Sequence, residues 1–265
     1  MRNQPAGAEG GGGIVCLRSN VARAPPRPLN RHSVMRLPMP QTDPTAITLD
    51  YYNNRHLGDA WETVGPKAGG AEEAEHCLKD LREALREKDV LELGCGSGIS
   101  TNRIVGVARS IVATEPTENR CREARERLRG CSSVRLSQTD AFRLEALPGK
   151  FNGGFASDVF AHIARSRYDE FFRSFHGRLE AGATVFLTGC QMSERWAKRV
   201  VWVEGSADAY CRRNLKDGSE YLIVDNFFSE KELLDLFRPR VLELRVTYGQ
   251  FHWWMSYRTK GNDVA

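Results

Sequence analysis

Apolar positions along the chain alternate between two spacings, and this alternation predicts an α/β fold. Between residues 71 and 88, apolar side chains recur every three or four positions among charged ones, which predicts an amphipathic helix. Short apolar runs predict buried strands, and helical spacing returns between them. The predicted strands cover 90–93, 110–114, 133–136, 154–160 and 183–188, and the predicted helices cover 99–108, 117–128 and 167–179, the last with Ser166 as its N-cap. This order predicts a doubly wound, mostly parallel sheet.

The pattern changes after the fifth strand. Residues 190–225 are long and polar for a connection, so we predict a small structure of their own over one end of the sheet. Ser229 and Glu232 form a capping-box pattern that predicts a helix reaching Phe237. The apolar runs 241–246 and 251–257 then predict a closing antiparallel hairpin, which brings the sheet to seven strands.

The positive charge of the chain is concentrated in its first forty residues. The whole sequence carries +4, but residues 1–40 hold six arginines and one acid, Glu9, so they carry +5 and the remainder carries −1. This segment is also rich in glycine and proline, and we predict a disordered tail over residues 1–42. A spurious upstream extension, a flexible binding tail and a targeting signal all stay open for it. The near-neutral remainder argues against a nucleic-acid partner.

Composition and cysteine spacing exclude several classes of protein. Hydrophobic residues make up 41% of the sequence, and no apolar run approaches the roughly 18 residues that a membrane-spanning helix needs. The seven cysteines show no C-x-x-C or C-x-x-H spacing, so we expect free thiols and no structural zinc. No secretory apolar segment is present, and a cytoplasmic location is therefore expected.

A glycine-rich turn after the first predicted core strand is the motif that carries chemistry. Its spacing is Glu92-x-Gly94-x-Gly96-x-Gly98, whereas a dinucleotide site requires G-x-G-x-x-G; Ile99 stands where that pattern fails. Glycines let the backbone approach a ligand, and a carboxylate at Glu92 suits a cationic ligand better than a diphosphate. Residues 90–98 resemble motif I of the class I S-adenosylmethionine-dependent methyltransferases.

The resemblance implies a Rossmann-like methyltransferase fold over residues 89–260 and S-adenosyl-L-methionine as the cofactor. In that family an acid at the end of the second strand accepts the ribose hydroxyls, which corresponds to Glu115 here. The resemblance likewise assigns Asp140 and Ala141 to the adenine, and Ser157 to the methionine portion and the methyl group. Apart from the resemblance, Asp140 is equally an ordinary loop acid or helix cap.

Candidate acceptor residues surround the predicted cofactor site. His162 lies just past the fourth strand, where its usual pKa would suit a general base; a structural or surface histidine is the alternative. Residues 43–88 are predicted to form a helical lid that supplies Tyr52, Arg55 and Trp61, with Arg55 either pairing with an acceptor carboxylate or solvated. His252 on the hairpin completes the candidate set, although core packing is the alternative for the aromatic residues there.

Two missing motifs narrow the predicted function. No Asn/Asp-Pro-Pro-Tyr/Phe follows the fourth strand, unlike in the enzymes that methylate amino groups of nucleic acids, and no Asp-Asn pair follows the fifth, where catechol-type enzymes hold magnesium. We therefore predict a metal-independent methyltransferase that methylates oxygen or nitrogen of a small molecule. The alternatives are a methyltransferase that acts on a protein or nucleic acid and an inactive cofactor-binding relative, whereas the glycine spacing disfavours a nicotinamide oxidoreductase. For the oligomeric state, monomer and homodimer both stay open.

Overall fold

The computed structural model describes residues 15–17, 43–55 and 70–260. Two short 3-10 turns, Phe160–His162 and Arg165–Arg167, accompany its helices and strands. In chain order the elements are β1 (Val15–Leu17), α1 (Pro44–Asn54), α2 (Gly70–Ala84), β2 (Asp89–Leu93), α3 (Ile99–Ile104), β3 (Ser110–Thr114), α4 (Glu118–Arg127), β4 (Val134–Ser137), β5 (Phe151–Ser157), α5 (Tyr168–Gly177), β6 (Leu179–Cys190), α6 (Glu194–Ala197), β7 (Val200–Trp202), β8 (Ala209–Asn214), β9 (Glu220–Val224), α7 (Glu230–Phe237), β10 (Val241–Tyr248) and β11 (His252–Thr259).

The large sheet has the strand order β1-β10-β11-β6-β5-β2-β3-β4. Every neighbouring pair is parallel except the two that involve β11, which runs antiparallel to both β10 and β6. The seven strands predicted from the sequence are all present, and the hairpin that reverses the last strand is confirmed. Because β2, β3, β4 and β5 are parallel, their carboxyl ends meet at one edge of the sheet, where open α/β sheets bind ligands.

The sheet has an eighth strand that the sequence did not predict. Val15–Leu17 pairs parallel with β10, in register with residues 245–247. Part of the segment expected to be a disordered tail is therefore a strand, because β10 is an edge that offers unpaired backbone groups to a short apolar segment. The rest of the 1–42 prediction lies outside the described residues.

Alternating side chains on the central strands build two cores, one on each face of the sheet. Val90 packs with Phe155 and Trp254 on the face that α2 covers. Leu91 packs on the opposite face in the cluster that contains Trp253. This period of two explains why adjacent tryptophans of β11 are both buried but in different cores.

Of the N-caps predicted at Ser229 and Ser166, the structure contains the first and not the second. At α7, the Ser229 side chain accepts from the Glu232 amide and Glu232 bonds back, so the capping box is confirmed. At α5 the prediction was wrong: Ser166 lies inside the 3-10 turn, and Arg167 is the N-cap without a side-chain hydrogen bond. The 3-10 turn displaces the serine from the geometry that a capping hydroxyl needs.

Residues 190–225 form the small structure that was expected. Strands β7, β8 and β9 make an antiparallel three-stranded sheet, in the order β7-β8-β9. Helix α1 packs against β9, where the rings of Tyr51 and Tyr221 lie 5.5 Å apart in an edge-to-face arrangement. We call β7–β9 the insertion sheet.

Helix α2 is fastened to the C-terminal hairpin by a carboxylate. The side chain of Glu73 accepts hydrogen bonds from three consecutive backbone amides, those of Gln250 (2.6 Å), Phe251 (3.0 Å) and His252 (2.7 Å). The approach is so close that a Cβ added at Gly249 would lie 2.5 Å from this carboxylate. About two helical turns further on, Asp80 accepts from the indole of Trp254 at 2.8 Å. Of the predicted 43–88 lid, α2 is thus held on the sheet and α1 lies on the insertion sheet.

Among the residues that the structure describes, no helix is long and apolar enough to cross a membrane. The same residues contain no group of three or more His, Cys, Asp or Glu side chains arranged to hold a metal ion. All six cysteines of the described segments outside β1 are free thiols.

We predict that Glu73→Gln lowers the free energy of unfolding by about 2 kcal/mol, because an amide oxygen accepts three N–H groups less strongly than a carboxylate does. Burial alone would raise the pKa of Glu73, but the hydrogen bonds from His252 and the three amides lower it overall. The stabilisation is therefore complete above the pKa of an unfolded glutamate and is lost as the pH falls through the lowered folded pKa. Urea unfolding at pH 7 and at acid pH measures both effects.

The matched control is Glu75→Gln, an exposed glutamate on the same helix. It should change stability by less than about 0.5 kcal/mol. Equal losses for the two variants at pH 7 would show that the Glu73 contacts contribute nothing specific.

Candidate cofactor and acceptor site

The glycine turn joins the end of β2 to the start of α3. Gly94, Gly96 and Gly98 all have positive φ, at 58°, 57° and 81°, a region that favours glycine. A Cβ at Gly94 would lie 2.7 Å from a methyl of Val159, and one at Gly98 would lie 3.0 Å from Leu128. Nothing lies within 4 Å of the Cβ position at Gly96, so the turn is packed at its two ends and open in its middle.

Glu92 lies beneath this turn as a buried carboxylate. The residue is 1% exposed, and its Oε2 atom has no hydrogen-bond partner. Burial raises the pKa of this side chain to about 8, since a charged carboxylate is poorly stabilised away from water. A buried acid with one oxygen free of hydrogen bonds, at the carboxyl end of a central strand, is suited to a cationic group, which would restore the ionised form.

Glu115 connects the glycine turn to the end of β3. Its Oε2 accepts from the Gly96 amide at 3.0 Å, and its Oε1 accepts from the amide and the hydroxyl of Thr117 at 3.0 and 2.6 Å. Burial raises the pKa of Glu115, and the bonds from Thr117 and Gly96 oppose that rise. Three of the carboxylate's four lone pairs are thus occupied, and the remaining one, on Oε2, can accept from a ligand hydroxyl group.

Asp140 and Ala141 follow β4 at the same edge of the sheet. The Asp140 carboxylate accepts from the Phe142 amide at 2.7 Å and lies 3.9 Å from the Arg143 side chain. Ala141 packs against the core on the α5 face. Asp140 therefore stabilises its own turn, as a loop acid would, and its assignment to the adenine stays a prediction.

The end of β5 contains a strained residue next to Ser157. Asp158 has φ of 58°, which is uncommon for a residue other than glycine, and its amide donates to Thr188 at 3.0 Å. The Ser157 hydroxyl lies 3.1 Å from that of Thr188, and the Cys190 thiol lies 3.4 Å from the Asp158 carboxylate. Backbone strain of this kind is concentrated at functional sites, so we add Asp158 to the candidate site residues. The sequence alone gave no sign of this conformation.

His162 lies in a hydrogen-bonded group that joins three parts of the fold. Its Nε2 is 2.7 Å from the hydroxyl of Tyr52 on α1, and its Nδ1 is 2.7 Å from the carbonyl of Val224 at the end of β9. A carbonyl only accepts, so Nδ1 carries the hydrogen, and in the neutral ring Nε2 accepts from Tyr52. The sequence predicted both residues separately, and the structure brings them together.

A buried ion pair lies behind His162. Asp225 Oδ1 is 3.9 Å from His162 Nδ1, while Oδ2 pairs with the guanidinium of Arg213 on β8. The Arg213 guanidinium also stacks over the ring of Trp196, 4.4 Å from its centroid. Burial raises the pKa of Asp225, and the charges of His162 and Arg213 oppose that rise. Sequence reasoning did not assign either residue; a charged pair in a mostly polar segment gives no sign of burial.

The remaining candidates lie in three different places. Arg55 follows α1 directly, and its charge acts on Tyr52. His252 lies at the hairpin, where its Nδ1 is 3.3 Å from Glu73 rather than in the His162 group. Trp61 lies outside the described residues, so its predicted role stays untested.

The strand order, the single reversed strand β11 and the glycine turn at the end of β2 are those that the resemblance to the class I S-adenosylmethionine-dependent methyltransferases implied. Residues 90–182 match a family model described as a methyltransferase domain. The resemblance first indicated by residues 90–98 is thereby confirmed. No curated protein sequence matches the chain.

Solved structures share this fold at low sequence identity. A DhpI complex with SAH aligns over 81% of this chain and 96% of its own, with a TM-score of 0.63 and 23% identity. The N-methyltransferase NodS from Bradyrhizobium japonicum WM9, in complex with S-adenosylhomocysteine, aligns over 82% and 99% with a TM-score of 0.56 and 14% identity. The 1,6-didemethyltoxoflavin-N1-methyltransferase from Burkholderia thailandensis aligns over 86% and 95% with a TM-score of 0.55 and 15% identity.

Proposed function

We propose that this chain is an S-adenosylmethionine-dependent methyltransferase that methylates oxygen or nitrogen of a small molecule. The observation that carries the proposal is the buried Glu92 carboxylate, whose Oε2 has no hydrogen-bond partner, at the start of a glycine turn that is open at Gly96. The fold and the methyltransferase-domain match support it, as do structural neighbours that bind SAH and, in one case, a small-molecule acceptor. Metal independence and a cytoplasmic location belong to the proposal as predictions.

The residues at the carboxyl edge of the sheet fit the proposed cofactor. Glu92 offers a negative oxygen to its ammonium group, and Glu115 offers the open lone pair of its Oε2 to a ribose hydroxyl. Asp140 and Ala141 would border the adenine, and Ser157 the methionine portion. The backbone at Gly94, Gly96 and Gly98 allows the ligand to approach the turn without side chains intervening.

The proposed cofactor supplies a methyl group on a sulfonium sulfur, which leaves as a neutral thioether. The protein therefore mainly positions the acceptor, excludes water and removes the acceptor's proton. His162 can receive that proton at Nε2, since Nδ1–H is fixed by Val224. The Tyr52 hydroxyl lies between Nε2 and the acceptor, because it is hydrogen-bonded to Nε2. The acceptor's proton therefore moves to the Tyr52 oxygen while Tyr52 passes its own hydroxyl proton to the imidazole. Asp225, 3.9 Å away, stabilises the resulting imidazolium.

We expect Glu115→Ala to weaken binding of S-adenosylhomocysteine by about 100-fold, because charged hydrogen bonds of this kind contribute about 1.5–3 kcal/mol each. Isothermal titration calorimetry measures the dissociation constant. Glu118→Gln, an exposed acid at the start of α4, is the matched control and should bind as the wild type does. An unchanged constant for Glu115→Ala in a folded protein would contradict the assignment.

Binding should also release a proton from Glu92. Because burial raises the pKa of Glu92 to about 8, the acid is mostly protonated at pH 7, and a bound ammonium group favours the ionised form. Affinity for S-adenosylhomocysteine should therefore fall by up to about tenfold for each pH unit below 8. Calorimetry at pH 7 in buffers of different ionisation enthalpy counts the released protons. Glu92→Gln should abolish the buffer dependence, and a wild type that shows none would refute this role.

His162→Gln and Tyr52→Phe should each slow methyl transfer by about 10²–10⁴-fold, the usual contribution of general acid–base catalysis. Both should leave S-adenosylhomocysteine binding intact, and the double variant should be no slower than either single one, because the two side chains act in one relay.

Radiolabelled cofactor with a panel of phenols, amines and hydroxy acids identifies an acceptor for the assay. A pH–rate profile unchanged in His162→Gln would exclude it as the base, and cofactor binding without transfer to any acceptor would favour an inactive relative.

A further inference from the structure

Arg55 is a partly buried arginine that has no side-chain partner among the described residues. Its Nε atom is buried and makes no hydrogen bond, and its guanidinium forms no ion pair with the residues that the structure describes. Other shielded arginines are paired: Arg120 with Glu123 at 2.8 Å, and Arg213 with Asp225. Because a shielded cation without a counter-charge is unfavourable, Arg55 is suited to a ligand that brings one.

The position of Arg55 puts this charge at the proposed acceptor site. It is the C-cap of α1, three residues after Tyr52, and its charge acts on the Tyr52 hydroxyl. The Tyr52 hydroxyl is also subject to the charges of Arg213 and Asp225, and Asp158 acts on Asp225 from the end of β5. Asp225 forms its ion pair with Arg213 and lies beside His162, so it is not the counter-charge of Arg55.

We propose that the acceptor carries a small oxyanion, a carboxylate or a phosphoryl group, which Arg55 binds through its guanidinium. The inference rests on the proposed function and specifies its substrate class. A guanidinium presents parallel N–H donors that match the two oxygens of such a group. Tyr52 and His162 serve a group that loses a proton, so the methylated atom is a separate hydroxyl or amine. The acceptor is therefore bifunctional, with its anion at Arg55 and its nucleophile at Tyr52.

The test compares anionic and neutral probes, one pair of them matched in shape, on the full chain saturated with S-adenosylhomocysteine. The probes are 4-hydroxybenzoate, its neutral analogue 4-hydroxybenzamide, phenyl phosphate and inorganic phosphate, each titrated by saturation-transfer NMR. We expect 4-hydroxybenzoate or phenyl phosphate to bind at least about tenfold more tightly than 4-hydroxybenzamide, which corresponds to about 1.4 kcal/mol. Whichever of 4-hydroxybenzoate and phenyl phosphate binds more tightly shows whether the site prefers a carboxylate or a phosphoryl group. Inorganic phosphate has no ring, so its affinity measures recognition of the anion alone.

Arg55→Gln should reduce the preference for the anion to less than about twofold, while Arg55→Lys should keep part of it, because a lysine retains the charge and loses the fork. Arg258→Gln is the control: this exposed arginine pairs with Glu243 on the hairpin, and its loss changes the total charge equally. It should leave the preference unchanged.

Each outcome supports or overturns one statement. Wild type that binds S-adenosylhomocysteine but shows no preference for anions, or binds none of the four probes, overturns the inference and leaves the proposed function standing. An anion preference that survives in Arg55→Gln also overturns it. Failure to bind S-adenosylhomocysteine overturns the proposed function itself.

Discussion

The hydrogen bond from the Gly96 amide to Glu115 is the contact on which the candidate site depends. It draws the turn after β2 towards the end of β3, and the same carboxylate holds Thr117, which starts α4. Leu128 near the other end of α4 then packs under Gly98. The Glu115 carboxylate thus links the ends of two strands to two helices. Its hydrogen bond to the Gly96 amide stabilises the shape of the glycine turn next to Glu92. The arrangement needs positive φ at three positions, which explains the glycine spacing physically.

The acceptor side is assembled differently, from segments that surround the sheet. Tyr52 comes from α1, His162 from the turn after β5, and Val224, Asp225 and Arg213 from the insertion sheet and its end. The site is therefore finished by tertiary packing between elements that belong to no single strand–helix unit. This separation lets the acceptor wall vary while the cofactor edge stays the same, as is common for sites on shared folds.

The sequence predicted the sheet well because its strands are short apolar runs between strong turn signals, as at 110–114 and around Gly94. Single-residue chemistry at strand ends, such as Glu92 and Glu115, was also visible, since a carboxylate there is unusual. Contacts between distant residues were not: Tyr52 and His162 are 110 positions apart, and nothing in either segment specifies the other. The strain at Asp158, the burial of Asp225 and the strand Val15–Leu17 likewise arise from packing and an open sheet edge. Ser166 shows the opposite error, because a good local capping pattern was overridden by a 3-10 turn.

The reversed strand β11 has a consequence for how the chain folds as it is synthesised. It lies between β6 and β10, and the amide groups of its first residue and of the two turn residues before it, 250–252, donate to Glu73, almost 180 positions earlier in the chain. Until β11 emerges, one edge of β6 is unpaired and α2 lacks the hydrogen bonds of Glu73 and Asp80 to the hairpin. Contacts of such long sequence separation form slowly. The region between 90 and 182 can organise early, but the large sheet is complete only once β11 has inserted between β6 and β10.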